Sequence, residues 1–213
     1  MLRLACALAL SIVLACAGWV DAAWAVDGAA LERLLQTNRC IGCDLQGADL
    51  ADRELLGVVL RDVDLSGARL SGSLLNEARM VGASLVGADL HQSHLSGSDL
   101  TAADLRGADL RRADLYNTIL KRADLSDANL EGAELISADL RQARLVNGHL
   151  REALLAGSLL RGADLREADL RDADLRQADL REARLDGAQL CGADLLGALM
   201  PDERPNPGGI TPC

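Results

Sequence analysis

The sequence predicts an all-β solenoid: short extended segments wound around their own leucines, with a short helix closing the front. Three observations carry this. Stepping by five from Leu45 to Leu195 visits 31 positions, of which thirty are Leu and the other is Met80. Two residues before most of these positions stands a small residue, usually Ala. The two positions after each Leu are variable and polar, often Arg, Gly, Glu or Ser. A helix face recurs about every 3.6 residues and a strand face every ~2, so neither element alone explains a beat of five.

The beat is explained by a chain that runs straight and then bends. Ala and Leu, two apart, point the same way in an extended segment, and the Asp between them points the other way. Alternation breaks before the next apolar residue. A bend in the two remaining positions keeps every Ala and Leu inward. Gly at the bends, as in Gly47, Gly67, Gly87 and Gly107, suits such a turn. Repeated in one direction, the bends wind a coil whose layers satisfy one another's backbone groups.

Composition agrees. Apolar residues make up 49% of the 213, yet aromatics are 1% and Phe is absent, so the interior must be narrow and uniform. The net charge of −10 weighs against a nucleic-acid binder, which needs a basic surface to displace counterions.

The pattern Ala-(Asp or Asn)-Leu-x-x, as in GADLREADLRDADLRQADL and DANLEGAELISADL, resembles the pentapeptide repeat family over roughly Cys43 to Ala198. The resemblance implies a right-handed quadrilateral β-helix with about 20 residues per coil, Leu at the centre of each side and the small residue beside it. The 31 pentads would then make almost eight coils, a rod of roughly 37 Å at ~4.8 Å per layer. Each buried Leu contributes on the order of 1.5–3 kcal/mol, spread along the rod as nearest-neighbour stacking.

The ends read differently. Residues 1–25 have a basic start at Arg3, an apolar run from Leu4 to Val20 and a small-x-small site at Ala23-Trp24-Ala25. This reads as a secretory signal peptide with Val26 as the mature start and a periplasmic or secreted destination. Two alternatives stay open: retention as a membrane anchor, and lipidation at Cys16 in the box Val13-Leu14-Ala15-Cys16. Residues 26–42 form the predicted helical cap. Asp27 starts its helix, and Ala30, Leu31, Leu34 and Leu35 share one face. Residues 43–199 are the β-helix, and the Pro- and Gly-rich residues 200–213 are an irregular tail.

Cleavage leaves four cysteines: Cys40, Cys43, Cys191 and Cys213. An even number in an exported chain favours disulfides within each end, Cys40 with Cys43 and Cys191 with Cys213. Four cysteines allow three connectivities. The Cys40/Cys43 spacing alone also fits a redox motif or half a zinc site, and a free Cys213 thiol on a disordered tail is the other reading there.

If positions 20 apart stack, the sequence becomes a map of four faces. Lys121, Arg141, Arg161 and Arg181 form a column beside Asp139 and Asp179, read as charge balance rather than as a basic stripe for an anionic partner. Outward apolar residues gather on two adjacent faces. Leu56, Tyr116 and Ile136, with Leu74, Leu154 and Leu196, fall on one; Val59, Ile119 and Leu159, with Val81 and Leu199, fall on the other. They form a candidate contact surface for self-association or a protein partner. Arg53 occupies a small inward slot, which predicts that the second and third pentads distort to let it reach solvent or pair with Asp52 or Glu54.

Catalytic, cofactor and metal sites are not expected. His91, His94 and His149 do not converge on the face map, and no nucleophile–base set or phosphate loop is present. The sequence thus points to a non-enzymatic scaffold binding a protein partner or itself. The family resemblance implies an alternative, a DNA-mimicking protein that binds DNA gyrase. The export signal, the interspersed Arg and the absence of Phe at the central position depart from that pattern.

Overall fold

The computed structural model describes residues 27–201. Helix α1 covers Gly28–Thr37. Asp27 caps it, accepting from the Ala29 N–H at 3.0 Å. Asn38 ends it in the left-handed conformation, with its N–H on the Leu34 carbonyl at 2.8 Å. The cap is shorter than the sequence indicated. Arg39 already makes the first parallel bridge, to Val59, and Cys40 fills the central slot one beat before Leu45, fully buried. Cys40 in the Leu slot and Asn38 in the small slot hide this first pentad.

Every bridge from Arg39 to Leu199 is parallel and joins residues 20 apart, so each coil holds four pentads on four sides. The bonding repeats without a change of register. The Leu45 N–H donates to the Asp64 carbonyl at 2.7 Å, Gly47 to Ser66 at 2.9 Å, and Asp64 back to Cys43 at 2.9 Å. Within the pentad, Ala48 N–H closes a turn on the Leu45 carbonyl at 3.0 Å.

All 32 corners from Gly42 to Gly197 have positive φ at their third residue, and 17 of these residues are not Gly. The turn geometry is therefore imposed by the coil and not by local preference, since a non-Gly residue there costs on the order of 1–2 kcal/mol. Ala102, exposed at φ 55, gains nothing from its methyl. Ala102→Gly should stabilise by about 0.5 kcal/mol, after the larger unfolded-state entropy of Gly is subtracted. Gly87→Ala should destabilise by a similar or larger amount, although a Cβ there meets nothing within 4 Å. Denaturant midpoints of the two variants check this.

Inside, the leucines from Leu45 to Leu180 and Met80 are fully or almost fully buried. Most buried hydroxyls in the small slot bond to carbonyls, as Ser73 does to Leu70 at 2.6 Å and Thr118 to Leu95 of the preceding coil at 2.8 Å, while the Ser158 hydroxyl is buried without a partner among the described residues. At the front, Ala30 and Leu34 of α1 cover the core, with Leu31 partly buried against it. Leu35 does not join that face and is half exposed, because the first coil is too narrow to cover both edges of the helix. At the far end Leu185, Leu190 and Met200 are only partly buried.

Arg53 corrects another expectation. The pentads around it keep their register: Glu54 bridges Leu74, and Leu74 N–H bonds the Arg53 carbonyl at 2.8 Å. The side chain alone turns outward into solvent, and no ion pair to Asp52 or Glu54 forms. In the first coil the slot lies at the rim, so leaving it needs no backbone shift.

Candidate functional site

The outer positions of each pentad do two jobs. The N–H of the residue after each Leu takes no part in the ladder. In sixteen pentads the Asp or Asn before the Leu accepts it, as Asp44 does from Gln46 at 3.1 Å and Asn129 from Glu131 at 3.1 Å. The recurrent acid is thus a backbone cap before it is a surface charge.

Where Arg follows the Leu, its guanidinium forks onto the same carboxylate, since residues two apart in an extended segment face the same way. Seven such pairs form: Asp104–Arg106, Asp109–Arg111, Asp139–Arg141, Asp164–Arg166, Asp169–Arg171, Asp174–Arg176 and Asp179–Arg181. In six of them the arginine hydrogen bond is the main influence and holds the aspartate below the usual carboxylate range. At Asp139 partial burial opposes ionisation, and Arg141 and Lys121 together outweigh it.

Lowered folded-state values mean that these pairs stabilise the protein above the unfolded carboxylate value, about pH 4. That contribution is lost as pH falls through the folded values. Solvent around the exposed arginines screens each pair, so a single pair contributes little and the effect comes from their number. Thermal stability should therefore be flat from neutrality down to about pH 5 and fall below pH 4. Scanning calorimetry across that range checks it.

Asp89, His91 and Asp109 are brought together. Their ligand atoms lie within 4.8 Å of one another, and His91 Nδ1 is 2.6 Å from Asp89 Oδ1. Both oxygens of Asp109 accept from Arg111, at 2.9 and 2.5 Å, and that cation opposes a metal. The cluster sets a His91–Asp89 hydrogen bond beside the Asp109–Arg111 ion pair. Among the described residues no nucleophile stands beside a base in an enclosed cleft.

The Cys40 and Cys43 sulfurs are joined, with Cα atoms 5.6 Å apart, across the corner between α1 and the second pentad. Cys191 is also in a disulfide, and its partner and the tail lie outside the described residues, as do Cys16 and the leader.

The predicted apolar surface is not continuous: it divides into a part on the first coil, a part in the middle of the rod, and Leu196, 51% exposed on the last coil beyond Arg176. Leu56 and Val59 lie on the first coil beside α1, whose following residue Asn38 bonds the Leu56 carbonyl at 2.8 Å. Tyr116, Ile119, Ile136 and Leu159 lie together about three layers further along, joined by Leu154. Asn76, Ser96, Arg79 and Asp99 separate the first two parts. In the second part Tyr116 is 51% exposed, Leu154 36% and Leu159 38%, while Ile119 and Ile136 are partly covered.

A four-sided coil with an inert leucine interior and chemistry confined to its outer columns defines a solenoid scaffold protein. The chain belongs to the pentapeptide repeat family: the family's model, "Pentapeptide repeats", matches in eight copies, among them 39–76, 54–97, 83–122, 93–132, 133–172 and 158–197. Its members imply the right-handed winding. The chain is similar to the crystal structure of HetL, a pentapeptide repeat protein involved in heterocyst differentiation regulation from the cyanobacterium Nostoc sp. strain PCC 7120. Identity is 31%, the match covers 86% of this chain and all of that one, and the TM-score is 0.50. It also resembles QnrB1, a plasmid-mediated fluoroquinolone resistance protein, at 24% identity over 73% of this chain and 80% of that one, with a TM-score of 0.50, a likeness of fold. No match is found among curated proteins.

Proposed function

We propose that this chain is an exported, non-enzymatic scaffold that presents the Tyr116–Leu159 surface to a protein partner or to a second copy of itself. The observation that carries the reading is the gathering of Tyr116, Ile119, Ile136, Leu154 and Leu159 on two adjoining sides in the middle of the rod. A rigid solenoid holds such a surface with little ordering cost on binding. Export is supported by the leader pattern in residues 1–25 and by cysteines placed to pair at each end, a periplasmic or secreted destination being the one where such pairs persist.

The test is a variant with Tyr116, Ile119, Ile136 and Leu159 all replaced by Ser. Loss of self-association or of the copurifying partner is expected, measured by light scattering and pull-down. An unchanged solution mass and binding profile would remove the proposal's basis. Cell fractionation with N-terminal sequencing tests export. A second reading, gyrase binding, has the acidity of the chain and the likeness of fold to QnrB1 in its favour. The seven arginine forks count against it, because they neutralise the acidic columns that would imitate a phosphate backbone.

A further inference from the structure

The side centred on Leu60, Met80, Leu100, Leu120, Leu140, Leu160 and Leu180 differs from the other three. Its pentads carry seven cations against five acids, whereas each other side has an excess of acid. The cations include an unbroken column, Lys121, Arg141, Arg161 and Arg181, which spans three layers, or ~14 Å. A shallow groove of about 320 Å³ runs beside it, lined by Lys121, Arg122, Arg141, Arg161 and Glu182.

Charge balance accounts for only part of this column. In the seven forks each Arg sits beside its own acid. Here the acid column alternates: Ile119, Asp139, Leu159, Asp179. Lys121 and Arg161 therefore keep their charge where the local acid has been replaced by an apolar residue. Lys121 turns to Asp139 of the next coil at 3.2 Å, and Arg161 turns to Glu182. Arg122 has no ion-pair partner among the described residues. A cation excess on an acidic rod, edged by Ile119 and Leu159 and by the neighbouring Tyr116 and Ile136, calls for a ligand that is both acidic and apolar.

We propose that this side binds an acidic amphipathic helix of a partner protein, lying along the rod axis. The inference rests on the surface reading above and adds the chemistry of the partner. A helix rises about 5.4 Å per turn, close to the ~4.8 Å layer spacing over three layers. One acid per turn then follows the Lys121–Arg181 column, and the helix's apolar stripe falls on Ile119, Leu159 and Tyr116. A flat anionic membrane would instead meet the repulsion of the whole chain, whose net charge is −10.

The probes are two fluorescent synthetic helices of about five turns with the same Leu face, one flanked by Glu and one by Lys, and phosphatidylglycerol vesicles. Anisotropy with the full mature chain should show the Glu-flanked helix binding and the Lys-flanked one not. The double variant K121E/R161E should weaken binding by about tenfold or more, and raised salt should weaken it as well. The control variant R69E/R151E, on another side, should leave it unchanged. Equal binding of the two helices, indifference to K121E/R161E, or binding of the vesicles alone would overturn the proposal. If the four-Ser variant abolishes binding while K121E/R161E does not, the surface stands and the acidic partner falls. If neither variant alters it, both readings fall.

Discussion

Excision of residues 101–120, one complete coil, should leave a folded and shorter rod, whereas deletion of Ala102 alone should break it. The reason lies in the ladder. Every bridge joins residues 20 apart, so removing 20 brings Asp99 under Asp139 and His94 under Glu134 with all inward positions still inward. The leucines lost are offset by the ordering entropy of the residues removed, so the net change in a nearest-neighbour array is far smaller than the gross burial. The new Asp99–Asp139 stack costs a few tenths of a kcal/mol, with Lys121 close by. Deleting Ala102 shifts phase by one. Ala103 would take the corner, Asp104 the small inward slot and Arg106 the Leu slot. Burying unpaired charges costs several kcal/mol each, more than a domain of this kind has to spare. The array must instead open at that corner into two rods. Excision of 101–105 is the intermediate case: inward residues stay inward, but every later column turns by one side. Circular dichroism, thermal unfolding and limited proteolysis at the corner around 102 separate the three outcomes. A single-residue deletion that unfolds like the parent would refute the register argument.

The same register explains what could be read from the sequence and what could not. The inward leucines and alanines were legible because they obey a period of their own, and one phase error would have exposed all of them. The coil of four pentads came from family resemblance, since nothing in one pentad says how many sides close a turn. The role of Asp was not legible. Asp44 and Asn129 serve alike only because both can accept the one N–H that the ladder omits, which is a fact about the backbone. The corners were half legible: Gly47 and Gly67 advertise a left-handed residue, but Asp52, Glu77 and Arg112 hold the same φ with no local sign of it. Cys40 fills a central slot without being Leu, so the beat of leucines gives no sign of it. On the surface, Asp and Arg columns could be placed but not paired. The forks follow from which of two neighbouring acids a guanidinium reaches first, and at Ile119 and Leu159 the missing acid matters more than any residue present.

The second large effect concerns the interior. Leu115→Ala should cost about 2–5 kcal/mol, while Leu185→Ala at the last coil should cost far less. Leu115 is fully buried, and the residues stacked with it, Leu95 and Leu135, are too. Such a cavity closes only if neighbouring layers approach, and the ladder forbids that: the Leu95 N–H bond to Asp114 and the Leu115 N–H bond to Glu134 fix the spacing on both sides. The rod cannot collapse inward here either, because the corners on both sides of Leu115 are closed turns, Ala113 N–H on the Leu110 carbonyl at 3.0 Å and Thr118 N–H on the Leu115 carbonyl at 3.2 Å. A full transfer term plus an unrelieved cavity is therefore expected. Leu185 is only partly buried, so less is lost and solvent can enter. Met80 shows which substitution the slot accepts. Leu115→Met should cost under about 1.5 kcal/mol, being nearly volume-conserving, and Leu115→Phe about 1–3 kcal/mol by overpacking. Equal denaturation midpoints for Leu115→Ala and Leu185→Ala would mean that the middle coils can relax, and that the rod is softer than its ladder implies.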